Sequence, residues 1–348
     1  MRKAVLPVAL IAVVLVSARA FAGGQPEPVP ITLEVSAPAP ANPGASAFKD
    51  GAETYAGLIG RVADVVFSET GAGKQLADVK AAIARTGGYA VFFVYFSDPA
   101  AAASIAATLE QAGVYWVSGG PKPPDLKAWD FPHWVAHIAY DGFAAGAFTV
   151  DRLLTTLPAS GAGTILALSG RQDDPSSAER WQGLQKVLTD NPGVQVLQPE
   201  MAPQDRTKAY DAVREMLSTH HDVDGVWAES DELALGALRA LKEAGLSGKV
   251  KVTGCGGDSE MLEAVTDRLA AATVIFDQRY QAELSLAMAL AAKQGKLDVA
   301  ALPHKDRMFE ISGIDVDTGN AARELEASLG PQWYDLTTFF ARWSVALD

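Results

Sequence analysis

The chain of 348 residues carries one cysteine, Cys255. A single thiol cannot close an internal disulfide, so a disulfide framework is excluded even in an oxidising compartment. Cys255 ends the apolar run from Val250, where a buried packing role is expected. Basic residues are also scarce, 29 against 42 acidic ones, for a net charge of −13. Such a balance offers no attractive field to nucleic acid or anionic lipid. The apolar run Ala4–Val16 is too short for a comfortable membrane span, and no other stretch approaches the ~20 apolar residues that one needs. Absent too are a Gly-x-Ser-x-Gly elbow and a His-Glu-x-x-His metal helix. Gly71-Ala72-Gly73-Lys74 has part of the outline of a phosphate loop. Ser68, however, stands where its first Gly belongs, and Gln75 where Ser or Thr would ligate Mg²⁺. A turn before a helix is the role that remains. His220-His221, beside Asp222, reads as a solvated helix end and not a metal pair. No catalytic constellation, metal or cofactor is indicated.

What is present begins with an export leader. Met1-Arg2-Lys3 is basic, Ala4 to Val16 is apolar, and Ala20-Phe21-Ala22 is a small-residue cleavage site. Cleavage after Ala22 is expected to release an exported, periplasmic protein, and no Cys follows the run to take a lipid. Without the leader's Arg2, Lys3 and Arg19 the net charge deepens to −16. The length suits two domains, and 49% apolar residues suffice for buried cores.

Strand and helix patterns then alternate. Strands are predicted near 31–35, 64–67, 90–95, 114–117 and 135–138, and again near 164–168, 194–197, 225–228, 251–254 and 272–275. Helical patterns lie between them at 48–59, 74–85, 99–112, 143–154, 176–190, 205–219, 231–244 and 260–269. Strands alternating with helices of this length imply parallel sheets covered on both faces, with right-handed crossovers. Two series of five predict an α/β fold with two doubly wound parallel-sheet lobes. The Pro-rich stretch Gly119–Asp130 is read as a surface loop. From Val223 to Gly245 a short strand passes through Glu229-Ser230 into a helix starting at Asp231, whose acidic first turn complements the helix dipole. A strand that stops at a polar side chain just before a helix is where such sheets keep ligand contacts.

This last segment resembles the matching part of ribose-type periplasmic solute-binding proteins. So do Asn42-Pro43 with Phe48-Lys49-Asp50-Gly51-Ala52, the helix 76–83, His137-Ile138-Ala139-Tyr140-Asp141, and Glu179-Arg180-Trp181-Gln182-Gly183. The resemblance covers nearly all the mature chain and implies three hinge crossings, near Tyr140, Phe276 and Ser312. The implied N-terminal lobe is 23–140 plus 277–312, completed by a helix at 278–296 and a strand near 309–311. The implied C-terminal lobe is 141–276 plus 313–348, ending in an aromatic extension with Trp333, Tyr334, Phe339, Phe340 and Trp343. Implied too is a monomer that closes on a sugar, polyol or related small molecule and delivers it to an ABC transporter permease. A receptor presenting its ligand to a membrane sensor kinase is the alternative. A repressor sharing the ligand domain would need a basic helix-turn-helix instead of an acidic exported chain.

The resemblance places Asn42, Tyr95, Ser118, Tyr140, Asp141, Arg180, Gln204, Ser230, Gly256 and Phe276 at cleft positions. Arg180 offers five donors in a rigid fork, suited to hydroxyls or a carboxylate; its other reading is an ion pair with Glu179 or Asp173. Asn42 either bonds a hydroxyl or shapes the Asn-Pro turn. Tyr140 and Phe276 either stack on a sugar face or pack in the core. Asp141 either accepts from the ligand or caps the next helix. Ribose-type proteins place an Asp-Arg pair where this chain has Ser118-Gly119, Asp where it has Gly256, Asn at Ser230 and Gln at Phe276. They place an aromatic pair at Gly44-Ala45. A roomier pocket, less acidic at its centre, is therefore expected, with Asp258 or Asp277 as substitute acceptors.

Overall fold

The computed structural model describes residues 32–38, 43–68, 72–158, 162–170, 175–197 and 205–329. The first series of elements is β1 (Thr32–Pro38), α1 (Pro43–Leu58), β2 (Ala63–Ser68), α2 (Ala72–Thr86), β3 (Ala90–Tyr95), α3 (Pro99–Gln111), β4 (Trp116–Gly119) and β5 (Trp134–Tyr140). The second is α4 (Gly142–Leu154), β6 (Gly163–Leu168), α5 (Pro175–Thr189), β7 (Val194–Leu197), α6 (Arg206–Thr219), β8 (Gly225–Ala228), α7 (Asp231–Glu243), β9 (Lys251–Thr253), α8 (Ser259–Thr266) and β10 (Ala270–Ile275). Then follow α9 (Gln278–Lys293), α10 (His304–Arg307), β11 (Met308–Ile311), β12 (Ile314–Asp317) and α11 (Ala321–Leu329).

Two six-stranded sheets result, ordered β11-β5-β4-β3-β1-β2 and β12-β10-β9-β8-β6-β7. The first strand of each series lies second from an edge, so strand order reverses beside it. Doubly wound sheets bind ligands outside the carboxyl ends of their strands at that reversal. The sixth strand differs between the lobes. β11 runs parallel to β5, whereas β12 runs antiparallel to β10. The two series of five strands form the parallel sheets expected, and β12, a four-residue strand that follows shortly after β11, adds an antiparallel edge that the sequence pattern does not mark.

Both faces of each sheet are covered. Along β3, Val91 and Phe93 join the core beneath α1 and α9, while Phe92 and Val94 join the core beneath α2 and α3. This is why β3 reads as an uninterrupted apolar run, AVFFVY, and not an alternating one. In the second sheet Val226 and Ala228 face the helices α6, α7 and α8, while Trp227 faces α4 and α5. Helix α1 begins five residues before its predicted start. Pro43 is its first residue, and proline suits that position because the amide it lacks would have no intrahelical partner.

Helices α4 and α5 touch backbone to backbone. A Cβ on Gly146 would lie 2.1 Å from the Arg180 carbonyl oxygen, and one on Gly183 would lie 2.2 Å from that of Phe143. Glycine at both positions lets α5 ride close enough to fix where Arg180 points. The stretch read as a surface loop is anchored at its far end, where the buried Arg307 guanidinium donates to the carbonyls of Ala128 and Phe131, each at 3.0 Å. Lys74 pairs with Asp78, and Gln75 is buried, bonded to Ser36 Oγ and the Tyr95 carbonyl. That remnant of a loop motif thus ties α2 to the sheet. Helix α11 buries Ala321 and packs Leu325 on the second lobe; the aromatic cluster from Trp333 to Trp343 lies outside the described residues.

Candidate functional site

Three chain crossings join the lobes, and they are bonded to one another. The Asp141 amide donates to the Ile311 carbonyl at 3.2 Å, and the Tyr140 hydroxyl donates to the Asp277 carbonyl. A Cβ on Gly313 would stand 2.3 Å from Val274, so the third crossing lies directly on the second. Asp141 caps α4 by accepting from the Ala144 amide at 2.7 Å, and Asp277 caps α9 by accepting from Tyr280 at 3.0 Å. A recess of about 170 Å³ opens beside these strands, lined by Tyr140, Asp277, Tyr280 and Ser312 among others.

From the hinge a stack runs into the second lobe. The Tyr140 and Phe276 rings lie 5.0 Å apart, and the Arg180 guanidinium sits 5.9 Å from the Phe276 ring centre. Arg180 is only 7% exposed. Among the described residues it forms no ion pair, and its Nε has no hydrogen-bond partner. Desolvating a guanidinium without pairing it costs free energy unless another group satisfies it. The pairing with Glu179 that the sequence allowed is not made; Asp173 lies outside the described residues.

Around the stack, the strand ends are held by Asp231. The sequence cast it as a dipole partner for α7, yet it is fully buried. It accepts from the amides of Gly257 at 2.6 Å and Asp258 at 2.9 Å, and from Thr273 Oγ1 at 2.7 Å. Burial, and secondarily the charge of Asp258, push its carboxyl up to about 7. The turn it grips needs glycine: Gly257 has φ of 90°, and a Cβ there would meet Ile275 at 2.8 Å. Burial likewise pushes the Cys255 thiol up to about 12, as befits a packed and unreactive residue.

Residues 33–297 match the family model of the periplasmic binding protein domain. The chain belongs to the periplasmic binding protein family. The ribose import binding protein of Escherichia coli is 30% identical over 233 residues, covering 67% of this chain and 75% of its own. A xylitol-binding protein of Mycolicibacterium smegmatis is 31% identical over 198 residues, or 57% of this chain and 54% of that one. A crystal structure from Burkholderia phytofirmans, described as a twin-arginine translocation pathway signal protein, superposes with a TM-score of 0.81. It is 32% identical, covering 87% of this chain and 94% of its own. Family and fold are those the sequence resembled. Among the described residues no helix is long and apolar enough to cross a membrane. The leader and its cleavage site lie outside them.

In this periplasmic binding protein the ten predicted site residues fare differently. Tyr140, Arg180 and Phe276 form the stack at the hinge, with Asp141 capping beside it. Gly256 adjoins Phe276, whose amide donates to the Gly256 carbonyl at 3.1 Å. Ser230 caps α7, accepting from the Leu233 amide at 3.4 Å. Tyr95 lies on the first lobe, its ring 4.8 Å from Phe48 and close over Gly119-Gly120. Ser118 is not brought to them. It is fully buried, 2.8 Å from His137 Nδ1, and accepts from Trp134 Nε1 at 2.9 Å. Burial drives His137 down to about 3, and its Nδ1 shares a hydrogen bond with the Ser118 hydroxyl. Asn42 and Gln204 lie outside the described residues. Glu229 directly follows β8 and is fully buried. It stands where the strand stops before a helix, the place at which the sequence points to ligand contacts, although the resemblance names only its neighbour Ser230.

One carboxyl at the hinge yields a pH prediction. Glu310 lies on β11; burial first, then the charges of Glu179 and Asp141, push it from 4.5 up to about 7. Between those values the folded chain keeps a proton that the unfolded chain releases, so stability is lost as pH rises through that window. Glu310→Gln is therefore expected to raise the melting temperature at pH 8 and to leave it nearly unchanged at pH 5. Allowing for solvent screening, roughly 1 kcal/mol, or about 2–4 °C, is anticipated at the higher pH. Thermal melts at the two pH values check this; an equal gain at both would reject the assignment.

Proposed function

We propose that this protein captures a sugar or sugar-like polyol between its two lobes and delivers it to an ABC importer. The observation that carries the reading is Arg180, a buried cation with an unpaired donor on the wall of the hinge, at the carboxyl ends of the second sheet. Support comes from the names of the relatives, which bind ribose and xylitol. The lobes we take as 23–140 plus 277–312 and 141–276 plus 313–348. Arg180 donates to ligand oxygens, Tyr140 and Phe276 face the ring or carbon chain, and Asp141, Ser230, Tyr95, Gly256, Asn42 and Gln204 line the rest. Ser118 acts from behind, through His137 and Trp134. No bond is made or broken, and binding calls for no metal or redox group.

Closure is the signal. A ligand touching both lobes shifts the population toward the closed form by its extra contacts there, and the three crossings absorb the change. A monomer suffices, since the site lies within one chain. The mature protein follows from export with cleavage after Ala22, and the closed form is read by a permease. Recovery of a sensor kinase from membranes in its place would reassign that partner.

The test is a thermal-shift screen of the mature protein across D-ribose, D-allose, xylitol, nucleosides and amino acids. A ligand at a hundred times its dissociation constant adds about 2.7 kcal/mol of stability. A raised melting temperature with a sugar or polyol is expected. A shift with amino acids alone, or with none of the panel, rejects the reading.

A further inference from the structure

Among the described residues, three polar side-chain atoms of the second lobe are buried without a hydrogen-bond partner in one small region: Arg180 Nε, Glu229 Oε2 and Ser169 Oγ. The residues are 7%, 0% and 3% exposed. They are neighbours through shared contacts. Glu229 Oε1 accepts from Ser177 Oγ at 2.9 Å, and Ser177 lies one helical turn before Arg180 on α5. A Cβ on Gly170, next to Ser169, would stand 2.1 Å from the same Oε1. The Cys255 thiol lies in the fields of both Arg180 and Glu229. All sit at the carboxyl ends of β6, β8 and β9, where doubly wound sheets hold ligands.

The chemistry of the unfilled atoms is specific. A carboxylate oxygen needs a donor, a guanidinium Nε needs an acceptor, and a serine hydroxyl serves as either. Arg180 and Glu229 are opposite in sign, yet they make no ion pair with each other. Both therefore keep a bonding direction open, which a protein interior tolerates poorly unless something fills it. Adjacent hydroxyls on one carbon chain meet both needs, because each hydroxyl donates and accepts. A carboxylate or phosphate ester satisfies Arg180 but meets Glu229 with like charge and no donor.

Resting on the proposed capture of a sugar-like ligand, we propose that Glu229 is a specificity-determining residue of the site. Its free Oε2 accepts a hydroxyl of the ligand while Arg180 donates to the neighbouring oxygen, so uncharged polyhydroxylated molecules are admitted and their acids are excluded. On this proposal, a carboxylate from just beyond β8 supplies an acceptor to the pocket that the sequence leads one to expect to be less acidic.

The experiment pairs D-ribose with D-ribonate and xylitol with xylonate, titrated calorimetrically into the full mature protein and into Glu229→Gln and Ser177→Ala. Glutamine keeps an acceptor for Ser177 and replaces the free acceptor with a donor. Wild type is expected to bind a neutral member at least tenfold more tightly than its acid, and Glu229→Gln to reduce that ratio below threefold. Ser177→Ala, which removes only the internal bond, should leave the ratio near the wild-type value. A wild-type preference for the acid overturns the inference, and does so whether or not the glutamine variant folds. An unchanged ratio in Glu229→Gln also overturns it, with the sugar-binding reading intact. Failure of wild type to bind either neutral compound, together with a blank screen, overturns both.

Discussion

Arg180→Ala is expected to abolish the ligand-induced rise in melting temperature while moving the unliganded melt little. The two halves of this result have separate causes. In the free protein, alanine removes packing against Phe276 but also removes a buried cation whose Nε is unpaired. Lost packing costs a few kcal/mol at a buried site, and relief of an unsatisfied charged donor returns a similar amount. These nearly offset. With ligand, the variant has lost a charge-assisted donor that nothing nearby replaces, and such bonds are worth about 1.5–3 kcal/mol. A deficit at the upper end of that range cuts the increment given by a hundredfold excess of ligand from about 2.7 kcal/mol to about 0.3 kcal/mol, a shift too small to register. Arg180→Lys should rescue only in part, because an ammonium lacks the planar fork. Thermal shift with the ligand found in the screen reads all three proteins; a full shift in the alanine variant would remove Arg180 from the site.

A second large effect is expected at the contact between α4 and α5. Gly146→Ala places a methyl 2.1 Å from the Arg180 carbonyl oxygen. Two terms compete. Alanine in place of glycine within a helix gains about 1 kcal/mol of propensity. Overpacking costs about 1–3 kcal/mol and occasionally more. Here the obstructing atom belongs to the backbone of a neighbouring helix, so no rotamer change relieves it and the upper end applies. A net loss of about 2 kcal/mol lowers the melting temperature by roughly 4–8 °C. The shift of α5 also displaces Arg180, so ligand affinity should fall with stability. Gly57→Ala, in α1 with nothing within 4 Å of its Cβ, should instead be neutral or stabilising. Equal melts for the two alanine variants would refute the close helix contact.

The architecture was readable because it rests on local patterning. Parallel strands buried on both faces show as short apolar runs, and the helices between them show by period, so most boundaries fall within a residue or two. What escaped depends on distant partners. β12 is four residues long, and its antiparallel pairing with β10 leaves no local mark. Asp231 looks like any acidic residue in a first helical turn, yet its donors come from Gly257, Asp258 and Thr273, 26 to 42 residues onward. Ser118 sits at a strand end as a contact residue should, but His137 and Trp134 claim its hydroxyl across the strand pair β4–β5. For Arg180 the reverse holds. Its chemistry was legible, and the structure adds that the nearby carboxylate Glu179 does not neutralise it.

The central claim is that ligand between the lobes converts occupancy into a change of shape. Small-angle X-ray scattering of the mature protein, with and without a saturating amount of the sugar or polyol that raises its melting temperature, tests this directly. A smaller radius of gyration in the loaded protein is the predicted result. Superimposable profiles under conditions where calorimetry shows the site filled would contradict it.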